Sequence, residues 1–370
     1  MAKTPYIIGL TGNIASGKSG IRQILENCGA LTIDADLLAQ RTYMKNAPAY
    51  QPVIEHFGEE ILDINGEIDR KRLGNIVFSD PQALRHLEGI VHPHTLEALE
   101  GLLLQSKTDL IVLEVIKLFE IGLAPLCDTI WVSSADDQVR FERLIKERSL
   151  SVAEARARIN TQPPQQEKID RADLVINTEG NFTLTWEQVH EALNAYAIPQ
   201  YSAREVSNLG LGLVARPLIV SDILQAADLL TIETGKPVQV EEIFRTLTKT
   251  SLLAIHQKTV LTGLISWKMV NFVSIISQWI KDPNSQTLPK SKKLLSAFQK
   301  ISNLHLCEVL CVSSSAGIEM DTLKKYQYHL PSKIANPIWR AATIKELSSD
   351  NPVYYKTLKM NGKIVHLNQN

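Results

Sequence analysis

The chain has 370 residues but no dense Arg/Lys run with interleaved aromatics, and aromatic residues make up only 6% of it. That absence argues against a nucleic-acid partner. No apolar run approaches the roughly 20 residues that a membrane-spanning helix needs, so no membrane partner is expected. The opening "MAKTPYIIGLTG" enters an apolar strand pattern without a secretory leader, and a cytoplasmic protein is the expectation. Cysteine is scarce. Cys28, Cys127, Cys307 and Cys311 are scattered through apolar surroundings, and "HLCEVLCV" has no second pair to complete a metal site. Core thiols in a reducing compartment are expected, with neither a disulfide framework nor a zinc site.

What is present reads as globular: 44% hydrophobic and 21% charged residues. The length exceeds what one core usually serves, so two domains are expected. The net charge of −1 hides an asymmetry. Residues 1–200 carry 19 Lys+Arg against 28 Asp+Glu, and residues 201–370 carry 20 against 12, giving −9 and +8. The jump coincides with "AIPQYSAREVSNLGLG", a polar, aperiodic stretch marked by Pro and Gly. The expected division is a first domain over 1–197, a linker over 198–212 and a second domain over 213–370. The opposite charges allow the positive half to dock on the acidic half, or on an acidic partner.

The most informative stretch is "YIIGLTGNIASGKSGIRQILENCG". A short apolar strand pattern leads into Gly12-Asn13-Ile14-Ala15-Ser16-Gly17-Lys18-Ser19, a full G-x-x-x-x-G-K-S pattern. Ile21, Ile24 and Leu25 then recur at helical spacing. Strand, glycine loop and helix are the context this motif needs. The two framing glycines let successive backbone N–H groups point at phosphate oxygens at the positive end of a helix. The loop, Gly12 to Ser19, is expected to hold a nucleoside triphosphate. Lys18 would lie along the β- and γ-phosphates and the Ser19 hydroxyl would ligate Mg²⁺.

The first half alternates apolar strands ("ALTID", "LIVLEV", "TIWVSS", "DLVINT") with longer helical patterns, which implies an α/β fold whose parallel sheet is covered on both faces. Ligands gather at the carboxyl ends of such strands, and the polar candidates lie there. Asp34 and Asp36 follow the second strand; a general base and a magnesium shell stand against a helix cap that needs one carboxylate. His92-Pro93 interrupts an amphipathic pattern, and packing or capping is the plainer role for that histidine. Glu120 follows "LIVLEV". Arg140, Arg143, Arg148, Arg156 and Arg158 belong either to a lid over the nucleotide or to a solvated helical face.

The order of "IIGLTGNIASGKS", "IDADLLA", "GEIDRKRLGNIVFSDPQALRHLEGIVHP", "LFEIGL", "DTIWV" and "RARINTQ" through "ADLVINTEGN" resembles the dephospho-CoA kinases over about residues 5–196. The resemblance implies transfer of the ATP γ-phosphoryl group, with Mg²⁺, to the ribose 3′-hydroxyl of dephospho-CoA, the last step of coenzyme A biosynthesis. It implies a P-loop core, a helical substrate region and a mobile lid. Gly12 to Ser19 then bind ATP, Asp34 is the base or hydroxyl-orienting carboxylate, and Asp36, His92 and Glu120 match positions near the acceptor. Arg143 matches a lid arginine and Gln162 the glutamine ending the lid motif. Three departures stand out: Ile116 and Lys117 replace the family's Pro and Leu, Glu147 replaces a second lid arginine with Arg148 one step along, and Gln40 precedes Arg41 where a basic residue is usual. A nucleoside or nucleoside-monophosphate kinase, or a nucleotide-binding regulator with impaired turnover, are the other readings.

The second half reads as strand, two helices and an antiparallel meander, an α+β plan weakly similar to the N-acetyltransferases, as are "RPLIVSDIL" and "PIWRAAT". "VEEIFRTLTKTSLLAI" is expected as one helix, two strands flank Lys268, and Asn361-Gly362 is expected to turn a final hairpin. That family's pyrophosphate loop, R/Q-x-x-G-x-G/A, has no counterpart. No glycine lies between Ile280 and Leu295, and Lys290, Lys292 and Lys293 read best as a solvated basic helix start.

Overall fold

Near-continuous apolar runs build the first sheet in the computed structural model, which describes residues 5–196, 198, 207–270, 272–285, 289–313, 316, 318–329 and 353–358. Strands β1 (Tyr6–Thr11), β2 (Leu31–Asp34), β3 (Leu110–Glu114), β4 (Thr129–Ser134) and β5 (Leu174–Asn177) lie in the order β2-β3-β1-β4-β5. All four neighbouring pairs are parallel, as the strand–helix alternation requires. Every carboxyl end therefore opens on the same edge.

The helices of this half are α1 (Lys18–Asn27), α2 (Ala35–Thr42), α3 (Tyr50–Phe57), α4 (Arg70–Ser79), α5 (Pro81–Gln105), α6 (Asp137–Arg148), α7 (Val152–Asn160), α8 (Gln166–Ile169) and α9 (Phe182–Ala195). Helices α3 to α5 form their own apolar cluster around Val53, Phe57, Ile61, Leu73 and Val77. His92-Pro93 interrupts the amphipathic pattern but not the helix, and α5 runs through Pro93. A proline removes one backbone bond; burial of Val91, Thr95, Ala98, Leu99 and Leu102 on one face holds the turns on either side. Thr95 Oγ1 also donates to the Val91 carbonyl at 2.9 Å.

The second half contains β6 (Ser207–Gly210), β7 (Leu213–Pro217), α10 (Ile223–Thr234), α11 (Val240–Leu247), β8 (Ser251–Gln257), β9 (Val260–Val270), β10 (Val273–Lys281), α12 (Ser291–Leu304), β11 (Val309–Ser313), α13 (Met320–Lys325) and β12 (Val353–Thr357). The sheet order is β12-β11-β10-β9-β8-β7-β6. Its one parallel pair, β10 with β11, is joined by the crossover helix α12. The α+β plan is thus the one the sequence suggested, with three local differences. Strand β6 lies inside the stretch 198–212 read as linker, where it pairs with β7. "SLLAI" is not helical but belongs to β8, because the helical apolar period ends at Leu247 and the run Ser251 to His256 is buried on both faces between β7 and β9. Lys268 lies within β9, and the break between the two strands falls after Val270. "PIWRAAT" and Asn361-Gly362 lie outside the described residues.

The two halves share apolar packing. One cluster joins Ile21, Ile24 and Leu25 of α1 and Trp186, Val189 and Leu193 of α9 to Ala226 and Leu229 of α10 and Ile243, Phe244 and Leu247 of α11. The Trp186 and Phe244 rings meet edge-on at 5.8 Å. Gln23 Nε2 donates to Ser251 Oγ across the seam at 2.9 Å. The cross-seam ion pair between Arg41 and Glu308, at 2.6 Å, runs against the bulk charges, with its cation on the acidic half.

Candidate active site

The loop between β1 and α1 takes its shape from two glycines. Gly12 has φ +148° and Gly17 has φ +92°. A Cβ at Gly12 would sit 2.3 Å from Ser133 Oγ, and one at Gly17 would sit 2.6 Å from Thr178 Oγ1. Both positions are closed to larger residues by conformation and by space.

The loop is clamped from outside. Ile14 N–H donates to Gln162 Oε1 at 2.7 Å, and Asn13 Nδ2 donates to the Pro163 carbonyl at 2.9 Å. Arg140, 2% exposed, donates from Nε to the Ile14 carbonyl at 3.0 Å and pairs with Asp137 at 2.6 Å. Arg143 donates from Nη1 to the Ala15 carbonyl and to Thr178 Oγ1, each at 3.1 Å, and from Nη2 to the Thr178 carbonyl. Thr178 Oγ1 in turn donates to the Ser16 carbonyl at 2.7 Å. Arg143 and Gln162 thus brace the loop. Arg148 is exposed at the end of α6, with Ser149 beyond it in the left-handed region at φ +53° and a capping box of Ser151 and Glu154 starting α7.

Lys18 points back into its loop, donating from Nζ to the Gly12 carbonyl at 2.8 Å and the Asn13 carbonyl at 3.1 Å. Burial lowers its pKa to about 8, partly opposed by the charges of Glu114 and Asp36. Ser19 is exposed in the first turn of α1.

Asp34 ends β2 and caps α2, accepting from Leu37 N–H at 2.9 Å. It therefore serves as the helix cap while its carboxylate stays at the strand end. Asp36, one residue into α2, is exposed at the cleft, and its pKa is raised by partial desolvation and by Asp34, against the pull of Lys18, Lys117 and Lys168. Lys168 of α8 is buried, donates to the Ile116 carbonyl at 2.7 Å, and interacts electrostatically with Glu120 and Asp36. Glu120 is exposed after β3. His92 is half-buried on α5; burial lowers its pKa, with Glu88 and Lys117 acting on it in opposite senses. Lys117, standing where Leu was expected, pairs with Glu88 at 2.7 Å and so ties the β3 loop to α5.

Two residues of this group were not singled out from sequence, Glu114 and Lys168. Glu114 closes β3 and stands in register with Asp34 on β2 and Leu10 on β1. Its carboxylate pairs with Arg22 Nε at 2.9 Å, and burial raises its pKa against that cation. The sequence signal was a lone acid inside "LIVLEV". Lys168 carried only the signal of a lysine just after the lid motif.

The structure thus gathers the phosphate loop, Asp34, Asp36, Glu114, Glu120 and Lys168 at the carboxyl edge of the first sheet, with His92 reached through Glu88 and Lys117. Oxygen donors at Ser19, Asp34 and Asp36 have the hardness Mg²⁺ requires. Among the described residues no cluster of three or more His, Cys, Asp or Glu is built to hold a metal alone. A glycine-framed loop with its lysine, beside carboxylates on adjacent parallel strands, defines a P-loop phosphotransferase site.

The dephospho-CoA kinase family profile matches residues 6–183. A dephospho-CoA kinase from Carboxydothermus hydrogenoformans is 40% identical over 201 residues, 54% of this chain and 98% of the relative. The solved dephospho-CoA kinase from Campylobacter jejuni is 26% identical with a TM-score of 0.40, covering 51% of this chain and 96% of that one. The solved ribosomal-protein-S18-alanine N-acetyltransferase from Escherichia coli is 11% identical with a TM-score of 0.31, covering 41% of this chain and 97% of that one. The chain belongs to the dephospho-CoA kinase family.

Proposed function

We propose that the first half, through about residue 197, transfers the γ-phosphoryl group of ATP to the ribose 3′-hydroxyl of dephospho-CoA, yielding CoA and ADP. The observation that carries this reading is the juxtaposition of the Lys18 loop with Asp34, in register beside Glu114, in a chain of this family. Residues Gly12 to Ser19 cradle the triphosphate through backbone N–H groups, and Lys18 swings from its own carbonyls to the β,γ-phosphates. The Ser19 hydroxyl, with the phosphates, would hold Mg²⁺, which would supply neutralisation of developing charge there. Asp34 orients the acceptor hydroxyl and takes its proton. Asp36, His92 and Glu120 line the acceptor side. Lys168 stands among these carboxylates as a cation for the transferred group, and Arg148 approaches from the lid. Arg143 acts on the loop's shape.

The test is coupled ADP release with dephospho-CoA, nucleosides and nucleoside monophosphates offered in parallel, with the product's 3′-phosphate confirmed by mass and phosphatase mapping. Stimulation by dephospho-CoA alone supports the reading. Stimulation by a nucleoside alone assigns the acceptor elsewhere, and no stimulation by any acceptor leaves a nucleotide-dependent regulator.

A further inference from the structure

The second half reaches the kinase site through helix α2. Arg41 lies in the last turn of α2, 8% exposed, and its Nη2 donates to Glu308 Oε1 at 2.6 Å. Its guanidinium stands over the Phe272 ring, 5.0 Å from the centroid. Among the described residues its Nε and Nη1 are buried without a hydrogen-bond partner. The balance of this buried cation therefore rests on Glu308 and the face of Phe272, and both belong to the second half. A buried charge holds its place only while its partner does. Glu308 and Phe272 are themselves joined, since Glu308 N–H donates to the Phe272 carbonyl at 2.7 Å.

At the other end of the same helix stands Asp34. Eight residues of α-helix are a stiff rod about 12 Å long, so displacement of the Arg41 end is transmitted to the cap. There is room for it to move. A cavity of about 120 Å³ opens at the seam beside Asp34, lined by Arg22, Glu26 and Leu37 of the first half and by Met269, Phe272 and His305 of the second. Packing beneath α2 also crosses the seam, because Ala35 and Leu38 share an apolar cluster with Leu306.

We propose that the second half is a positioning element of the phosphoryl-transfer site, and that Glu308, acting through Arg41, sets where α2 holds Asp34. The proposal rests on the kinase reading above. Glu308 touches no reacting atom; it is a positioning residue. Because α2 carries Asp34 while the phosphate loop is braced separately by Arg140, Arg143 and Gln162, the effect falls on the acceptor step and not on ATP binding.

The test compares full-length Glu308→Ala, Glu308→Gln, Arg41→Ala and the Arg41→Ala/Glu308→Ala pair, measuring kcat, KM for each substrate and the melting temperature. An ångström of misplacement can lower a rate by up to about a hundredfold. The expected result is a roughly tenfold fall in kcat for Glu308→Ala with KM for ATP within about twofold. Glu308→Gln, which keeps shape and acceptor, should recover part of that rate. The double variant should be no slower than Arg41→Ala, because the two act as one unit. If Glu308→Ala does not fold, Glu308→Gln carries the comparison, with a fall of about threefold expected. Unchanged kcat in folded variants overturns the proposal, and so does a loss of kcat that is shared equally by KM for ATP and tracks melting temperature. A wild-type chain that makes no CoA overturns the kinase reading and this inference with it, whereas an active wild type with unaffected variants overturns the inference alone.

Discussion

Asp34 and Glu114 face each other in register at the carboxyl ends of the parallel neighbours β2 and β3. Both residues stand at the sheet edge from which the phosphate loop also leaves, yet their surroundings differ. Asp34 accepts a backbone N–H from the turn it caps. Glu114 is tied to Arg22, which also binds Glu26 at 2.7 Å. Glu26 further accepts from Thr32 and Gln23, and Gln23 reaches Ser251 of the second half. Glu114 is therefore the inner end of a polar chain that runs from the strand edge to the seam.

Replacing Glu114 by leucine should strand the Arg22 guanidinium with one carboxylate fewer. The expected loss is about 2 kcal/mol of stability, given that Arg22 keeps Glu26 and some solvent. Urea denaturation of Glu114→Leu against Glu114→Gln checks this. Equal stability of the two would show that the carboxylate charge is not what holds Arg22.

Asp34→Asn should keep the helix cap, because the amide oxygen still accepts from Leu37 N–H, while losing the proton acceptor. The expectation is a fall in kcat of about 10² to 10⁴ with ATP affinity within a few-fold. Steady-state kinetics alongside nucleotide titration separates the two effects. A collapse of ATP affinity with kcat preserved would assign Asp34 to the nucleotide instead.

Lys18 is the group whose titration should appear in the rate. Its pKa of about 8 in the free protein means that the ammonium is present below that pH and lost above it. The profile of kcat/KM for ATP, which reports the free enzyme, should be flat toward neutrality and decline above about pH 8. In the bound complex the phosphates favour the charged form, so the fall in kcat should come at higher pH. Lys18→Ala should remove the step and lower turnover by at least about a thousandfold. A kcat/KM profile flat to pH 10 would contradict this assignment.

How much of this was legible beforehand follows from how local each signal is. The phosphate loop and the strands of the first sheet are encoded in short stretches, since glycine spacing and unbroken apolar runs leave few alternatives. Asp34 stood out as a carboxylate at a strand end beside such a loop, a position that also makes it the cap of α2. Glu114 was hidden by its apolar neighbours, and its meaning arises from register with β2, a relation between residues 80 positions apart. The arginines of α6 were ambiguous in another way. A helical face of arginines looks like a solvated stripe or a lid, and only the tertiary fold shows Arg140 and Arg143 turned onto the carbonyls of the loop. In the second half, the boundary between α11 and β8 was lost because leucine and isoleucine serve both periods, and sheet pairing decided. The Arg41–Glu308 pair lay beyond reach, since the bulk charges of the halves point the opposite way.

The second half should not catalyse acetyl transfer, whatever its topology. An acyl-CoA pyrophosphate needs backbone N–H groups brought close at a helix start, which glycines permit. The corresponding position here is the connection from β10 to α12, where no glycine lies between Ile280 and Leu295. Pro283 and Pro289 have no N–H to offer, and Lys290 precedes α12 without a side-chain cap bond. Lysines on a solvated helix start attract phosphate but do not preorganise a nest. Testing residues 213–370 alone would be misleading, because α10 and α11 bury their apolar faces against α1 and α9 of the first half. The full chain is the right material, and transfer is a better readout than binding, since acetyl-CoA also resembles the kinase product. Thiol release from acetyl-CoA should stay at the uncatalysed rate with polyamines, amino acids and peptide N-termini as acceptors. Amine-dependent release above that rate, retained in Lys18→Ala, would show that the connection binds pyrophosphate by other means and that the second half is an enzyme in its own right.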